Sequence, residues 1–187
     1  MTIHEILLRE LTEHAYRYSD GKPFILSSGA SSPEYLDCRT ALSHPYILHL
    51  AAKYLGSKLH STVEAVGGLT MGADPLAIAL SLQPGPGIKW FSVRKEQKSH
   101  GRRRQIEGDV FPGNKVAVLE DVITTGASTL KAIRACEEAE LEVCQVLALV
   151  DRGSGGIDSI RSAFPGDTEV GAMFTLAEIR QSYKARG

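Results

Sequence analysis

The sequence predicts an α/β fold: an open, mostly parallel sheet of about five strands, flanked by helices, with a small N-terminal cap or hood. Three observations predict it. Short apolar runs rich in β-branched residues recur at Val63–Val66, Ile88–Val93, Val116–Leu119, Val143–Val150 and Glu169–Phe174, as expected of strands buried on both faces. Helical stripes separate most of these runs, so successive strands should lie parallel. Ahead of this alternation, Phe24–Arg39 holds short apolar pieces broken by Ser and Gly, which fits two small strands around a loop at Ser27–Pro33. That segment reads as a cap over one end of the sheet, either a plain hairpin or a ligand lid. Length fits a single domain over 1–187, with the hood at about 1–42 and the core at about 43–187.

The elements follow in order. Ile3, Leu7, Leu11 and Ala15 give a helical stripe over Ile3–Tyr18, ended by Asp20-Gly21-Lys22-Pro23. His44-Pro45 opens a second helix to about His60, with Ile47, Leu50, Ala51, Tyr54 and Leu55 inward; proline suits a first turn. After the strand at Val63–Val66 comes a glycine-rich loop, Gly67–Gly72, and a helix from Asp74-Pro75 to Leu82. A loop of that kind between strand and helix is a possible anion cradle. No helix is expected between Val93 and Lys115, where the chain is polar. A helix to about Ala139, a short one at Ile157–Ala163 and a last one at Leu176–Tyr183 complete the pattern.

Composition narrows the class. Hydrophobic residues make up 43% and charged residues 23% of the chain, ordinary for a globular protein. A net charge of −1 argues against a surface built for nucleic acid, so none is expected as a partner. The three cysteines, Cys38, Cys136 and Cys144, lack metal-site spacing and read as reduced thiols of a cytoplasmic protein. The acidic N-terminus, with Glu5, Glu10 and Glu13, does not resemble a signal peptide, and no apolar run approaches the ~20 residues that span a bilayer.

The stretch Val116–Leu130 carries the chemistry. An apolar strand delivers two carboxylates, Glu120 and Asp121, and the turn Thr124-Thr125-Gly126-Ala127-Ser128 leads into a helix. Free N–H groups, hydroxyls and the positive dipole end at a helix start favour a phosphate. Gly126 permits positive φ or close approach of an anion. The carboxylates repel phosphate; they suit sugar hydroxyls, or Mg²⁺ directly or through water. A ribose 5-phosphate satisfies both halves. The competing reading is a capped strand–turn–helix with a solvated acidic end. A second stretch, Arg94–Gly108, clusters Arg94, Lys95, Lys98, His100, Arg102, Arg103 and Arg104 without apolar periodicity. It is either a solvated basic loop or the charge that a departing diphosphate needs. Arg152, after the strand Val143–Val150, sits where open sheets bind ligands and could grip a carboxylate or form a structural ion pair.

Val116–Ser128 resembles the phosphoribosyl-diphosphate motif of the type I phosphoribosyltransferases. Arg94-Lys95-Glu96-Gln97-Lys98-Ser99-His100-Gly101 is similar to the mobile-loop pattern of the orotate phosphoribosyltransferases, and Ser28-Gly29, Ser32-Pro33 and Asp151-Arg152 match that family too. The resemblance implies transfer of a phosphoribosyl group from 5-phosphoribosyl 1-diphosphate to orotate in UMP biosynthesis, with Mg²⁺ as cofactor. It implies that Lys98, His100 and Asp121 are catalytic. It implies that Arg94, Lys95, Lys98, His100, Glu120, Asp121, Val122, Ile123, Thr124, Thr125, Gly126, Ala127 and Ser128 bind the phosphoribosyl diphosphate. Tyr35, Thr124 and Arg152 should contact orotate. The metal should be held through diphosphate and water, with no direct protein ligand. A homodimer sharing its active sites is also implied. Ser27, Thr70-Met71 and Tyr35-Leu36 depart from the family pattern. The alternative class is a regulator of the same fold that senses the sugar diphosphate and binds nucleic acid through Arg102–Arg104.

Overall fold

The computed structural model describes residues 1–25, 31–85, 87–96, 105–164 and 168–186. The elements are α1 (Ile3–His14), β1 (Tyr16–Tyr18), β2 (Phe24–Ile25), β3 (Ser31–Ser32), β4 (Glu34–Leu36), α2 (Cys38–Leu42), α3 (Pro45–Gly56), β5 (Ala65–Leu69), α4 (Asp74–Ser81), β6 (Lys89–Val93), β7 (Ile106–Gly108), β8 (Lys115–Ile123), α5 (Ala127–Glu138), β9 (Glu142–Asp151), α6 (Gly156–Ala163), β10 (Glu169–Thr175) and α7 (Leu176–Lys184). Among the described residues, six strands form the central sheet in the order β10-β9-β8-β5-β6-β7, parallel throughout except for β6–β7.

Successive strand residues point to opposite faces, and here both faces are apolar. Ala117 and Leu119 of β8 join Leu7, Leu11, Ile47, Leu76 and Ile179 on the side of α1, α3, α4 and α7. Val116 and Val118 join Ile133, Cys136 and Ile160 on the side of α5 and α6. The uninterrupted apolar run of β8 therefore serves two cores at once. From β5 the chain moves to β6 on one side; from β8 it moves to β9 and β10 on the other. The crevice at the carboxyl ends of β5 and β8 is thus the switch point where open α/β sheets take ligands.

The differences from the sequence-based expectations have local causes. β7 is a short antiparallel strand in which only Ile106 is buried, so it shows no apolar pattern; it pairs Val93 with Ile106. α1 stops at His14 because residues 16–18 pair with β4, Tyr16 opposite Leu36. The helix from Pro45 stops at Gly56, and the short α2 is capped by Asp37, whose carboxylate accepts from the Thr40 N–H at 3.2 Å. β8 continues past Leu119 to Ile123, so the acidic pair lies inside the strand rather than beyond it. The cap consists of the β1–β4 and β2–β3 antiparallel pairs. Glu34 ties it down by accepting from the Tyr16 hydroxyl at 2.7 Å and from Arg180 Nε of α7 at 3.0 Å. Among the described residues, no helix is long and apolar enough to cross a membrane.

Candidate active site

β8 brings Glu120 and Asp121 to the carboxyl end of the sheet. Glu120 is buried and accepts from Thr129 Oγ1 of α5 at 3.2 Å. Asp121 Oδ1 accepts from the Val122 N–H at 2.9 Å, and Arg39 of α2 favours its charged form. The loop after β5 lies directly on the pair. A Cβ at Gly72 would stand 2.7 Å from Asp121 Oδ1 and 3.1 Å from Glu120 Oε1, so any larger residue here would displace the carboxylates. Burial, and then repulsion by Asp121, pushes Glu120 up to about 8; burial also raises Asp121. Burial and mutual repulsion thus disfavour charge on both carboxylates at once, and donors or a cation at the pair favour the fully charged form.

The turn behind the pair is open to solvent. Thr124, Thr125, Ala127 and Ser128 are exposed, Gly126 is buried, and Ile123 belongs to the core. Gly126 has φ +81°, and its carbonyl accepts from the Leu130 N–H at 2.8 Å to start α5. Among the described residues no side chain caps α5, which leaves its first-turn N–H groups for a ligand.

Arg152 joins this edge through its backbone N–H, which donates to the Ile123 carbonyl at 2.9 Å. Burial holds the Cys38 thiol well above its usual range, and hydrogen bonds from Arg180 hold the Glu34 carboxyl below its own; the Arg152 charge is a minor influence that favours ionisation of both. The Tyr35 ring instead stacks on Phe24 of the cap, centroids 5.7 Å apart at 27°. Arg94 and Lys95 are exposed just past β6, at the same carboxyl edge. The Arg94 N–H donates to the Gln105 carbonyl at 2.8 Å, closing the base of the basic stretch. The structure thus gathers Glu120, Asp121, Thr124–Ser128, Arg94, Lys95 and Arg152 at one edge. Lys98, His100, Arg102–Arg104 and Ser27–Gly29 lie outside the described residues.

No family model matches the chain. Over 186 residues it is 45% identical to the orotate phosphoribosyltransferase of Aquifex aeolicus, spanning 96% of this chain and 98% of that one. The chain belongs to the orotate phosphoribosyltransferases. The orotate phosphoribosyltransferase of Mycobacterium tuberculosis, solved in complex with Fe(III) dicitrate, superposes with a TM-score of 0.81 at 32% identity, over 95% of this chain and 99% of that one. The same mycobacterial enzyme in complex with 5-phospho-α-D-ribosyl 1-diphosphate superposes with a TM-score of 0.74 at 28% identity, over 95% and 91%. As an orotate phosphoribosyltransferase, the chain is a pentosyltransferase of pyrimidine biosynthesis. The comparisons give no support to a nucleic-acid-reading regulator.

Among the described residues, no group of three or more His, Cys, Asp or Glu could hold a metal ion. Two adjacent carboxylates without a third donor suit Mg²⁺, which keeps several waters and takes further oxygens from a phosphate ligand. The adjacent carboxylates of this orotate phosphoribosyltransferase are thus donors that fit Mg²⁺. Sequence reasoning missed Thr129 as a partner of Glu120, Arg39 as a charge beside Asp121 and Gly72 as the floor of the acidic pair. Gly72 could have been found, because it ends a glycine-rich loop at the same sheet edge. Thr129 and Arg39 gave no signal, since their relation to the pair is tertiary.

Proposed function

We propose that this chain transfers the phosphoribosyl group of 5-phosphoribosyl 1-diphosphate to N1 of orotate, releasing diphosphate, in the crevice between β5 and β8. One observation carries the reading: an acidic pair, Glu120 buried and Asp121 half-buried, stands directly before the uncapped start of α5, so diol acceptors and phosphate donors adjoin. Glu120 and Asp121 accept hydrogen bonds from the ribose hydroxyls. The 5-phosphate takes the amides and hydroxyls of Thr124, Thr125, Gly126, Ala127 and Ser128, reached through Val122 and Ile123 at the strand end. Arg94 and Lys95, with Lys98 and His100, meet the diphosphate. Thr124 and Arg152 hold orotate, the planar guanidinium suiting its carboxylate, and Tyr35 belongs to the cap that covers it.

The C1–oxygen bond breaks with oxocarbenium character as N1 of orotate closes on C1; the bonding pair leaves on the diphosphate, and the N1 proton is given up to water or to a diphosphate oxygen. The protein fixes both reactants, excludes water and stabilises the departing charge through Lys98, with His100 orienting or protonating a diphosphate oxygen. Glu120 and Asp121 are the residues that would hold Mg²⁺, which would supply further neutralisation of the diphosphate. The working form is a homodimer in the cytoplasm with shared active sites. The exposed Ile78 of α4 and Leu82, the residue that caps its C-terminus one turn later, offer apolar surface for such a contact.

A spectrophotometric assay of orotate consumption with phosphoribosyl diphosphate and Mg²⁺, run beside adenine, hypoxanthine and uracil, tests the proposal. Orotate alone should be consumed; preference for another base overturns it. Lys98→Ala should cut turnover far more than substrate binding, and equal turnover in that variant refutes the role given to Lys98.

A further inference from the structure

Asp74 opens α4, directly after the 70–73 loop whose Gly72 lies on the acidic pair; Gly67 and Gly68, expected in this loop, belong to β5. Its two carboxylate oxygens have separate partners. Oδ2 accepts from Thr70 Oγ1 at the start of that loop, and Oδ1 accepts from Ser92 Oγ of β6 at 2.6 Å. The Thr70 N–H in turn donates to the Val93 carbonyl at 2.8 Å. Ser92 and Val93 close β6 immediately before Arg94 and Lys95. One half-buried carboxylate therefore joins the loop, the first turn of α4 and the root of the basic stretch. The loop has little freedom on its other side, where the Gly72 Cα packs against Glu120 and Asp121.

We propose that Asp74 is a positioning residue for the leaving-group end of the sugar diphosphate. By holding Thr70 and Ser92 together it aims the Met71 and Gly72 amides, the two of the 70–73 loop not paired with the Val93 and Leu69 carbonyls, at the same ligand that Arg94 and Lys95 meet. Loss of this clamp leaves the ribose and phosphate contacts of β8 and α5 in place but lets the loop and the basic root drift apart. The inference rests on the phosphoribosyl-transfer reading above. Asp74 touches no substrate in this account; it acts through the loop.

The test is steady-state kinetics on the full chain, with wild-type turnover of orotate measured first. If the wild type does not consume orotate, the phosphoribosyl-transfer reading fails, and this proposal with it. With an active wild type, Asp74→Asn, which can accept from only one of the two hydroxyls, should raise the KM for phosphoribosyl diphosphate about tenfold. The KM for orotate and the melting temperature should stay near wild type. Thr70→Val should act in the same direction, Thr70→Ser should recover most of the affinity lost, and Asp74→Asn/Thr70→Val should be no worse than Asp74→Asn alone. An unchanged KM for phosphoribosyl diphosphate in Asp74→Asn overturns the proposal, as does an equal loss for both substrates with a falling melting temperature. Should Asp74→Asn fail to fold, Thr70→Val against Thr70→Ser decides alone: equal KM values for the two overturn it.

Discussion

Replacing Glu120 by Gln should stabilise the ligand-free protein, and more so as pH rises. The Glu120 carboxyl is raised from 4.5 to about 8 by burial and by its neighbour Asp121. A carboxyl raised in the folded state binds more protons folded than unfolded, so its presence costs stability as pH climbs from the ordinary carboxylate range toward 8. Acting alone, such a group would withdraw about 2 kcal/mol between about pH 5.5 and pH 7.5. Gln keeps an oxygen for the Thr129 hydroxyl, donated at 3.2 Å in the wild type. It also removes both the charge and its repulsion of Asp121. For a chain of this length, ~2 kcal/mol corresponds to a rise of about 4–8 °C in melting temperature. Thermal unfolding of both proteins without ligand, from about pH 5 to about pH 8, should show curves that meet at the acid end and separate toward the alkaline end. A difference independent of pH, or a less stable Gln variant at the alkaline end, would refute a buried, proton-retaining pair. Orotate turnover of the same variant should fall, because the site loses a charged acceptor for a ribose hydroxyl.

Three further outcomes follow from the same geometry. Gly72→Ala places a methyl 2.7 Å from Asp121 Oδ1 and should raise the KM for phosphoribosyl diphosphate more than tenfold while leaving the melting temperature almost unchanged, which kinetics and thermal unfolding together check. Gly126→Ala puts a Cβ on a residue at φ +81° and 2.8 Å from the Gly156 carbonyl; it should cost about 2 kcal/mol, read by urea unfolding, and weaken ribose 5-phosphate binding. Arg180→Ala should loosen the cap. Arg180 holds the Glu34 carboxyl below its usual range, so the stability it contributes is present above the ordinary carboxylate pKa and lost as pH falls through the lowered one. Because the Arg180 side chain is 43% exposed, the loss at neutral pH should be about 1 kcal/mol and should vanish in acid, as pH-dependent unfolding would show.

How much of this was legible in the sequence depends on the range of the interactions. The inner strands of the central sheet announce themselves because β5, β8 and β9 carry continuous buried runs; Val116 to Leu119 alternate between two cores and must all be apolar. The start of α5 is legible because Gly126 and the hydroxyl residues beside it are a local solution to a local demand for positive φ and free amides. β7 and α2 were not legible, because a three-residue strand with one buried side chain and a five-residue helix leave no period to read. The depth of the acidic pair was hidden for a different reason. Two adjacent carboxylates at a strand end look solvated, and only the fold puts Thr129, the Gly72 backbone and the surrounding core around Glu120. That burial sets the chemistry. A solvated pair would be charged throughout the working pH range and would gain little from sugar hydroxyls already replaced by water. With Glu120 buried and its carboxyl raised, donors of matching geometry or a cation favour ionisation of the pair, so ligand binding and ionisation are linked. Binding of ribose 5-phosphate with Mg²⁺ should therefore release protons near neutral pH. Calorimetric titration in buffers of different ionisation enthalpy would measure this release, which should shrink sharply in Glu120→Gln. Equal release from both proteins would place the titrating group elsewhere.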